Sequence, residues 1–201
     1  MEICRNNEIK IRELEKCDSD FNFMLKWLNN KSVSSYYGGT KEKNLDYIIN
    51  KYGKKIEMEG IYPCIIEINE TPVGYIQFYC INSDNYDISK EQFDLLASSE
   101  DKVIAIDLFI GEDDYRDKGF GNKILKLLIN TIFEKYNADV IVIDPKTENI
   151  RAIKCYKKCG FKESFIAEKR EEQDGIKYDN LVMKIEKNEG GSGDLFYKDL
   201  V

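Results

Sequence analysis

Three runs between Ile61 and Ile110 are dominated by apolar residues: Ile61 to Ile68, Val73 to Tyr79 and Val103 to Ile110. Each is short and rich in Val, Ile, Tyr and Phe, the pattern of a strand with at least one buried face. The first two are joined through Asn69-Glu-Thr-Pro72, which predicts a hairpin with a polar turn. Upstream, Ile9 to Leu14 alternates apolar and charged positions, as a half-exposed first strand would. Asp18, Ser19 and Asp20 offer N-caps for a helix over Phe21 to Leu28, which Asn29 and Asn30 break. A second helix is expected over Asn44 to Tyr52. Farther on, Ile124, Leu128, Ile132 and Tyr136 recur on one helical face, with Leu125, Ile129 and Phe133 beside them. Val140 to Ile143 is a short apolar strand ending at Asp144-Pro145. Asn149 can then cap a helix through Cys159, with Gly160 as its C-cap.

Two stretches lack a clear period. Val33 to Gly39 places Tyr36 and Tyr37 on a flexible turn, which reads either as a packed loop or as one wall of a substrate pocket. Between Ile81 and Lys102 the apolar pattern weakens and Asp84, Asp87, Glu91, Asp94, Glu100 and Asp101 collect. That segment is either an active-site loop carrying a short helix or solvated surface.

The junction at Asp113 to Lys123 carries the first chemical signal. It lies between a buried strand and a helix, so its backbone N–H groups and the positive end of the helix dipole can meet an anion. Gly119 and Gly121 permit close approach to the backbone, while Arg116, Lys118 and Lys123 add positive charge. A dinucleotide fingerprint would need a third glycine where Ile124 stands, and a Walker loop would need Gly-Lys-Ser/Thr, which is absent. What remains is Arg-x-x-Gly-x-Gly.

Composition narrows the chemistry. The 201 residues suit one domain with a proper core, and the formal charge of −7 disfavours nonspecific binding to nucleic acid or anionic lipid. It is compatible with a cationic substrate and equally with ordinary solubility. No export signal or membrane span is apparent, so the six cysteines, which lack paired zinc spacing, read as free thiols in a reducing cytoplasm. The chain contains no histidine. Ser-His-Asp and Cys-His mechanisms are therefore excluded within it, and proton transfer falls to carboxylates, tyrosine, lysine, cysteine or water. Residues 1–187 form the expected domain. Residues 188–201 begin as a Gly/Ser linker and end in a short, partly apolar tail, which is an artificial remnant, the start of something truncated, or a segment that docks back.

Arg116-x-x-Gly-x-Gly121, followed about 30 residues later by Asn149-Ile-Arg-Ala-Ile-Lys-Cys-Tyr-Lys-Lys-Cys-Gly-Phe161, resembles the two hallmarks of the GNAT superfamily of acyl-CoA-dependent N-acyltransferases. Trp27-Leu-Asn, Tyr37-Gly-Gly39, Pro72-Val-Gly-Tyr75, Ala105-Ile-Asp107 and Asp144-Pro145 extend the likeness to the bacterial aminoglycoside 6'-N-acetyltransferases, from about Glu8 to about Lys187. Leu108 departs from the glutamine that relatives often carry, and Tyr36-Tyr37 replaces tryptophans found in some.

The resemblance implies an α/β (α+β) fold: a mixed, mostly antiparallel sheet flanked by helices, with an acetyl-CoA cleft between two splayed central strands. It implies that Leu108, Phe109 and Ile110 pair with the pantetheine arm of acetyl-CoA. The turn of Arg116, Lys118, Gly119, Phe120, Gly121 and Asn122 would hold the pyrophosphate, and Asn149 would contact the cofactor. Asp107 is the expected proton acceptor on the amine side, unless it lies on the exposed face of its strand. Tyr156 would face the cofactor's sulfur as proton donor, although tyrosine also packs on helices without any such role. Tyr37, Asp84, Asp107 and Asp144 would contact an aminoglycoside, with Asp144 equally readable as a helix-entry turn residue. A polyamine or a protein N-terminus is the alternative acceptor, and a CoA-binding module without turnover is a third reading. Whether the chain is a monomer or a homodimer is left open.

Overall fold

In the computed structural model, residues 1–187 are described; the expectations for 188–201 lie outside them. The elements in chain order are β1 (Glu2–Arg5), β2 (Ile9–Glu13), α1 (Asp18–Leu28), α2 (Lys31–Ser34), α3 (Leu45–Glu57), β3 (Ile61–Ile68) and β4 (Thr71–Ile81). There follow α4 (Lys90–Asp94), β5 (Val103–Ile110), α5 (Phe120–Lys135), β6 (Val140–Ile143), α6 (Ile150–Lys158), β7 (Lys162–Gln173) and β8 (Ile176–Glu186). The strands form one eight-stranded sheet in the order β1-β2-β3-β4-β5-β6-β8-β7. Every pairing is antiparallel except β5 with β6, which α5 connects.

That parallel pairing makes the cleft. It covers only Val103 to Ala105 against Val140 to Val142, while β5 continues to Ile110 beside β4 alone. Beyond Ala105 the two central strands part. On the β6 side the cause is local: Pro145 cannot donate to a ladder, and it restricts the residue before it. The strand end is instead tied toward β8, with Asn180 Nδ2 donating to the Asp144 carbonyl at 2.6 Å and Leu181 N to the Pro145 carbonyl at 2.8 Å.

Alternation along the strands supplies a core on each face. Cys64, Ile66, Ile76, Phe78, Ile104 and Ile106 pack with Ile124, Leu125, Leu128, Ile129 and Ile132 of α5. On the other face Ile65, Tyr75 and Phe109 meet Phe21, Met24, Trp27, Ile48 and Tyr52 of α1 and α3. A third cluster joins Tyr86, Phe93 and Leu96 to Val103, Ala105, Val140 and Val142. The acidic 81–102 segment is therefore anchored by its few apolar residues, and it contains the short helix α4, closed by a capping box from Ser89 to Gln92.

Several expected details are corrected. α1 starts at Asp18, with Cys17 in the N-cap position and no side-chain cap. Asp20 is buried instead, receiving the Arg12 guanidinium at 2.7 and 2.8 Å and the Glu15 N–H at 2.9 Å. The hairpin turn is only Asn69-Glu70, both in the left-handed region (φ 48° and 61°), so Thr71 and Pro72 already belong to β4. α3 continues past Tyr52 to Glu57, through the buried Gly53. Among the described residues no helix is long and apolar enough to cross a membrane. All six cysteines are free thiols.

Candidate active site

The splay opens into a cleft of about 910 Å³, bordered by both central strands, the 116–122 turn, α6, the 32–39 segment, α3 and the tip of the β7–β8 hairpin. Its two ends differ in chemistry. At one end lies the glycine turn. Gly119 is left-handed (φ 84°) with open space where a Cβ would stand, and it occupies the N-cap of the 16-residue α5 without a side-chain cap. The first-turn N–H groups of α5 are thus left for an incoming acceptor oxygen. A Cβ on Gly121 would stand 3.2 Å from Cys155 Sγ, so this is also where α5 and α6 approach closely. Asn149 lines the same end while its side chain accepts from Ala152 N at 3.3 Å, fixing the start of α6.

The positive charge here comes from an unexpected source. Arg116 donates through Nε to the Ile110 carbonyl and through Nη2 to the Gly111 carbonyl, each at 3.0 Å, and it pairs with Asp113. Its guanidinium therefore clamps the strand exit and shapes the turn. Lys118 and Phe120 do not line the cleft; Phe120 packs on Tyr115, and Lys123 turns to Glu8 at 2.8 Å. Arg116 lines the cleft with its charge already engaged by those carbonyls and Asp113, and Arg151, Lys154 and Lys158, along one side of α6, line it as well. The i, i+3, i+7 spacing of the three α6 cations is present in the sequence, where no local pattern ties it to the glycine turn.

The other end is governed by carboxylates. Asp107 projects from β5 into the cleft on the face opposite α5, and Gln77 Nε2 donates to its Oδ2. Burial raises its pKa, opposed by the Gln77 bond and by the charge of Lys55. Asp144 stands across the splay at the end of β6. Burial and the charge of Asp107 push it up to about 6, against the pull of Arg170, whose Nε lies 2.8 Å from Asp144 Oδ2. Arg170 also donates to the carbonyls of Tyr86 at 2.6 Å and Asp87 at 2.7 Å, so one β7 guanidinium ties Asp144 to the 82–89 loop. Asp144 is consequently more than a turn residue, but it is already paired. Asp84 does not border the cleft: it is exposed, with its N–H held by Asn82 Oδ1 at 2.9 Å. Asp87 borders it instead.

Tyr156 lies between the two ends, 8% exposed, and burial holds its phenol far above the usual range. It keeps its proton at neutral pH and can serve only as a donor or as packing. Tyr37 lines the wall and packs edge-on against Phe109 at 4.9 Å and Tyr75 at 6.3 Å, so the aromatic turn is both packed and pocket-lining. The same loop is strapped to the β7–β8 hairpin. The Thr40 N–H and hydroxyl both reach Asp174 at 2.6 Å, Gln173 Nε2 reaches the Ser34 carbonyl at 2.7 Å, and buried Lys146 contacts Gln173 and the Ser35 carbonyl.

A family profile described as "Acetyltransferase (GNAT) domain" matches residues 16–168. The chain belongs to the GNAT acetyltransferase family. This acetyltransferase is 27% identical over 158 residues to an aminoglycoside N(6')-acetyltransferase type 1 of Klebsiella pneumoniae, covering 78% of this chain and 75% of that protein. Among solved structures it is similar to AAC(6')-Ib in complex with ribostamycin and coenzyme A (TM-score 0.73, 22% identity, 90% of this chain and 94% of that one). It is also similar to a spermidine N-acetyltransferase from Vibrio cholerae in complex with CoA and spermine (TM-score 0.70, 20% identity, 90% and 96%). At these identities the solved structures speak for the fold, which is the GNAT fold with its splayed sheet.

Proposed function

We propose that this acetyltransferase takes acetyl-CoA as donor and acetylates an amine of a polycationic acceptor, the 6'-amine of aminoglycosides. The observation that carries the reading is the pair of half-buried carboxylates, Asp107 and Asp144, set across the strand splay and followed along the cleft by Tyr156. The glycine turn suits acetyl-CoA: Gly119 leaves room, the first turn of α5 offers N–H donors, and Arg151, Lys154 and Lys158 supply charge for phosphates. Bound there, acetyl-CoA supplies an activated acyl thioester. The unpaired edge of β5 at Leu108 and Phe109 suits an extended amide-bearing arm, whereas the Ile110 carbonyl is occupied by Arg116.

On the acceptor side Asp107 attracts an ammonium and takes its proton at a carboxylate oxygen, directly or through water. Its raised pKa brings it nearer that task, because a carboxylate in the ordinary range is a poor base at neutral pH. Tyr156 holds a proton at its hydroxyl for the departing group. Asp87, Glu171, Glu172 and Asp174 extend the acidic lining and favour acceptors with several ammonium groups over a neutral peptide terminus. The same lining suits a polyamine, the second reading.

Turnover of acetyl-CoA measured with kanamycin, tobramycin, gentamicin, spermidine and a peptide amine decides between them. Acetylation of the 6'-amino drugs at the highest kcat/KM is the expected result. Turnover of spermidine or a peptide amine, with none of the drugs, overturns it.

A further inference from the structure

The acidic end of the cleft contains a cation that the reaction does not require. Lys55, on the cleft-facing side of α3, donates its Nζ to Gln77 Oε1 at 2.7 Å. Tyr75 Oη donates to the same oxygen at 2.8 Å. With Oε1 holding two donors, the orientation of the Gln77 amide is fixed, and its Nε2 is aimed at Asp107. Gln77 is only 4% exposed, so the whole chain Lys55–Gln77–Asp107 is built into the wall. The Tyr52 ring supports the ammonium from 5.8 Å. One helical turn earlier Lys51 also borders the cleft, where its Nζ is 3.1 Å from Tyr47 Oη. A pocket meant only to gather positive charge would not place a tethered ammonium one amide away from its central carboxylate.

We propose that Lys55 is a specificity-determining residue, a built-in counter-ion of Asp107 that disfavours acceptors bringing a second ammonium close to the amine being acetylated. The proposal rests on the acetyl-transfer reading and refines its acceptor class. The amine that reacts gives up its charge to Asp107 before attack, so Lys55 does not penalise it in its reactive form. A neighbouring ammonium that stays charged meets Lys55 at close range in a partly desolvated cleft, where like charges repel appreciably. Acceptors that bring fewer ammonium groups near the reacting amine are therefore selected over densely charged ones.

The test compares wild type with Lys55→Met, which keeps the stem and removes the charge, and with Lys55→Arg, which keeps the charge. KM and kcat are measured at saturating acetyl-CoA for 6-amino-6-deoxyglucose, which has a single amine, and for spermidine and kanamycin A. In Lys55→Met the KM for the multiply charged acceptors should fall on the order of tenfold, with the single-amine KM moving about twofold or less. Lys55→Arg should retain the wild-type spread of KM between acceptors. Equal KM changes for all three acceptors in Lys55→Met, or no change, overturn the assignment. If wild type turns over none of them, the acetyl-transfer reading fails separately. The same comparison is then made on Kd by calorimetry with the CoA-bound protein, and an unchanged ladder of affinities there overturns the role of Lys55 by itself.

Discussion

Replacing Arg170 with methionine removes the cation from Asp144 while keeping an apolar stem in place. The guanidinium is 2.8 Å from the carboxylate, and both side chains are largely enclosed, 12% and 17% exposed. With the charge centres roughly 4 Å apart and an effective dielectric near 20, their attraction is about 4 kcal/mol. Water entering the vacated space will screen part of that, so the pKa of Asp144 should rise by about one to two units, at about 1.4 kcal/mol per unit. It already lies near 6 with Arg170 present, and the variant carboxyl should therefore be largely protonated at pH 7. The assay is kcat/KM for kanamycin from pH 5 to 9 at saturating acetyl-CoA. Wild type should lose activity below about pH 6, and Arg170→Met should lose it one to two pH units higher. Stability should follow the same proton. Because the folded pKa lies above the ordinary 3.8, the folded chain binds more protons in that interval, and stability declines as pH rises through it. In Arg170→Met this interval extends upward, so the variant should melt closest to wild type at pH 6 and farthest below it at pH 8. An unmoved acid limb in a folded variant would refute the idea that ionised Asp144 helps to hold the acceptor.

Three other outcomes are expected. Gly121→Asp adds a carboxylate at the phosphate turn and crowds Cys155 Sγ, so acetyl-CoA binding followed by calorimetry should weaken by well over tenfold, more than about 1.4 kcal/mol; unchanged affinity in folded protein removes the turn from the cofactor site. Tyr156→Phe should lower kcat with little change in acetyl-CoA affinity, and full activity would leave Tyr156 a packing role. Asp107→Asn keeps the shape that Gln77 grips but removes the proton acceptor, so kcat/KM for 6'-amino drugs should fall by about 10²- to 10⁴-fold while acetyl-CoA still binds; retained turnover assigns the proton to water or another group.

Local order was legible where burial imposes a period. Strands β2 to β6 and the helices α1, α3, α5 and α6 follow apolar spacing, and the glycine turn and Asn149 cap stand where their residue types place them. β7 was not legible because it is an edge strand whose Lys169-Arg-Glu-Glu172 run shows no apolar alternation, and the most enclosed member of that run, Arg170, is itself a charge. Arg170 was lost with it, and with Arg170 the state of Asp144. The internal bonds of Arg116 were hidden for a related reason. A cation beside two glycines suggests an external anion, yet the nearest acceptors proved to be the chain's own carbonyls, 5 and 6 residues back. Asp84 and Asp87 are indistinguishable as members of an acidic run, and only the fold of the 82–89 loop separates the exposed one from the one at the cleft. Lys55 and Gln77 are 22 residues apart, so no local pattern links them.

The cleft is assembled from two sets of segments that scarcely interleave along the chain. Apart from the carboxylates Asp107 and Asp144, which face the acceptor, the donor end is made by β5, the glycine turn and α6, between residues 106 and 158, whereas the rest of the acceptor wall draws chiefly on residues 32–55 and 170–174. These acceptor segments are fastened to one another through Thr40–Asp174 and Ser34–Gln173. Variation can therefore accumulate in the acceptor wall while the acyl-donor machinery stays intact. A library confined to those two short windows should yield variants that exchange one amine for another at little cost to thioester use, whereas one spread over 106–158 should yield mostly inactive chains.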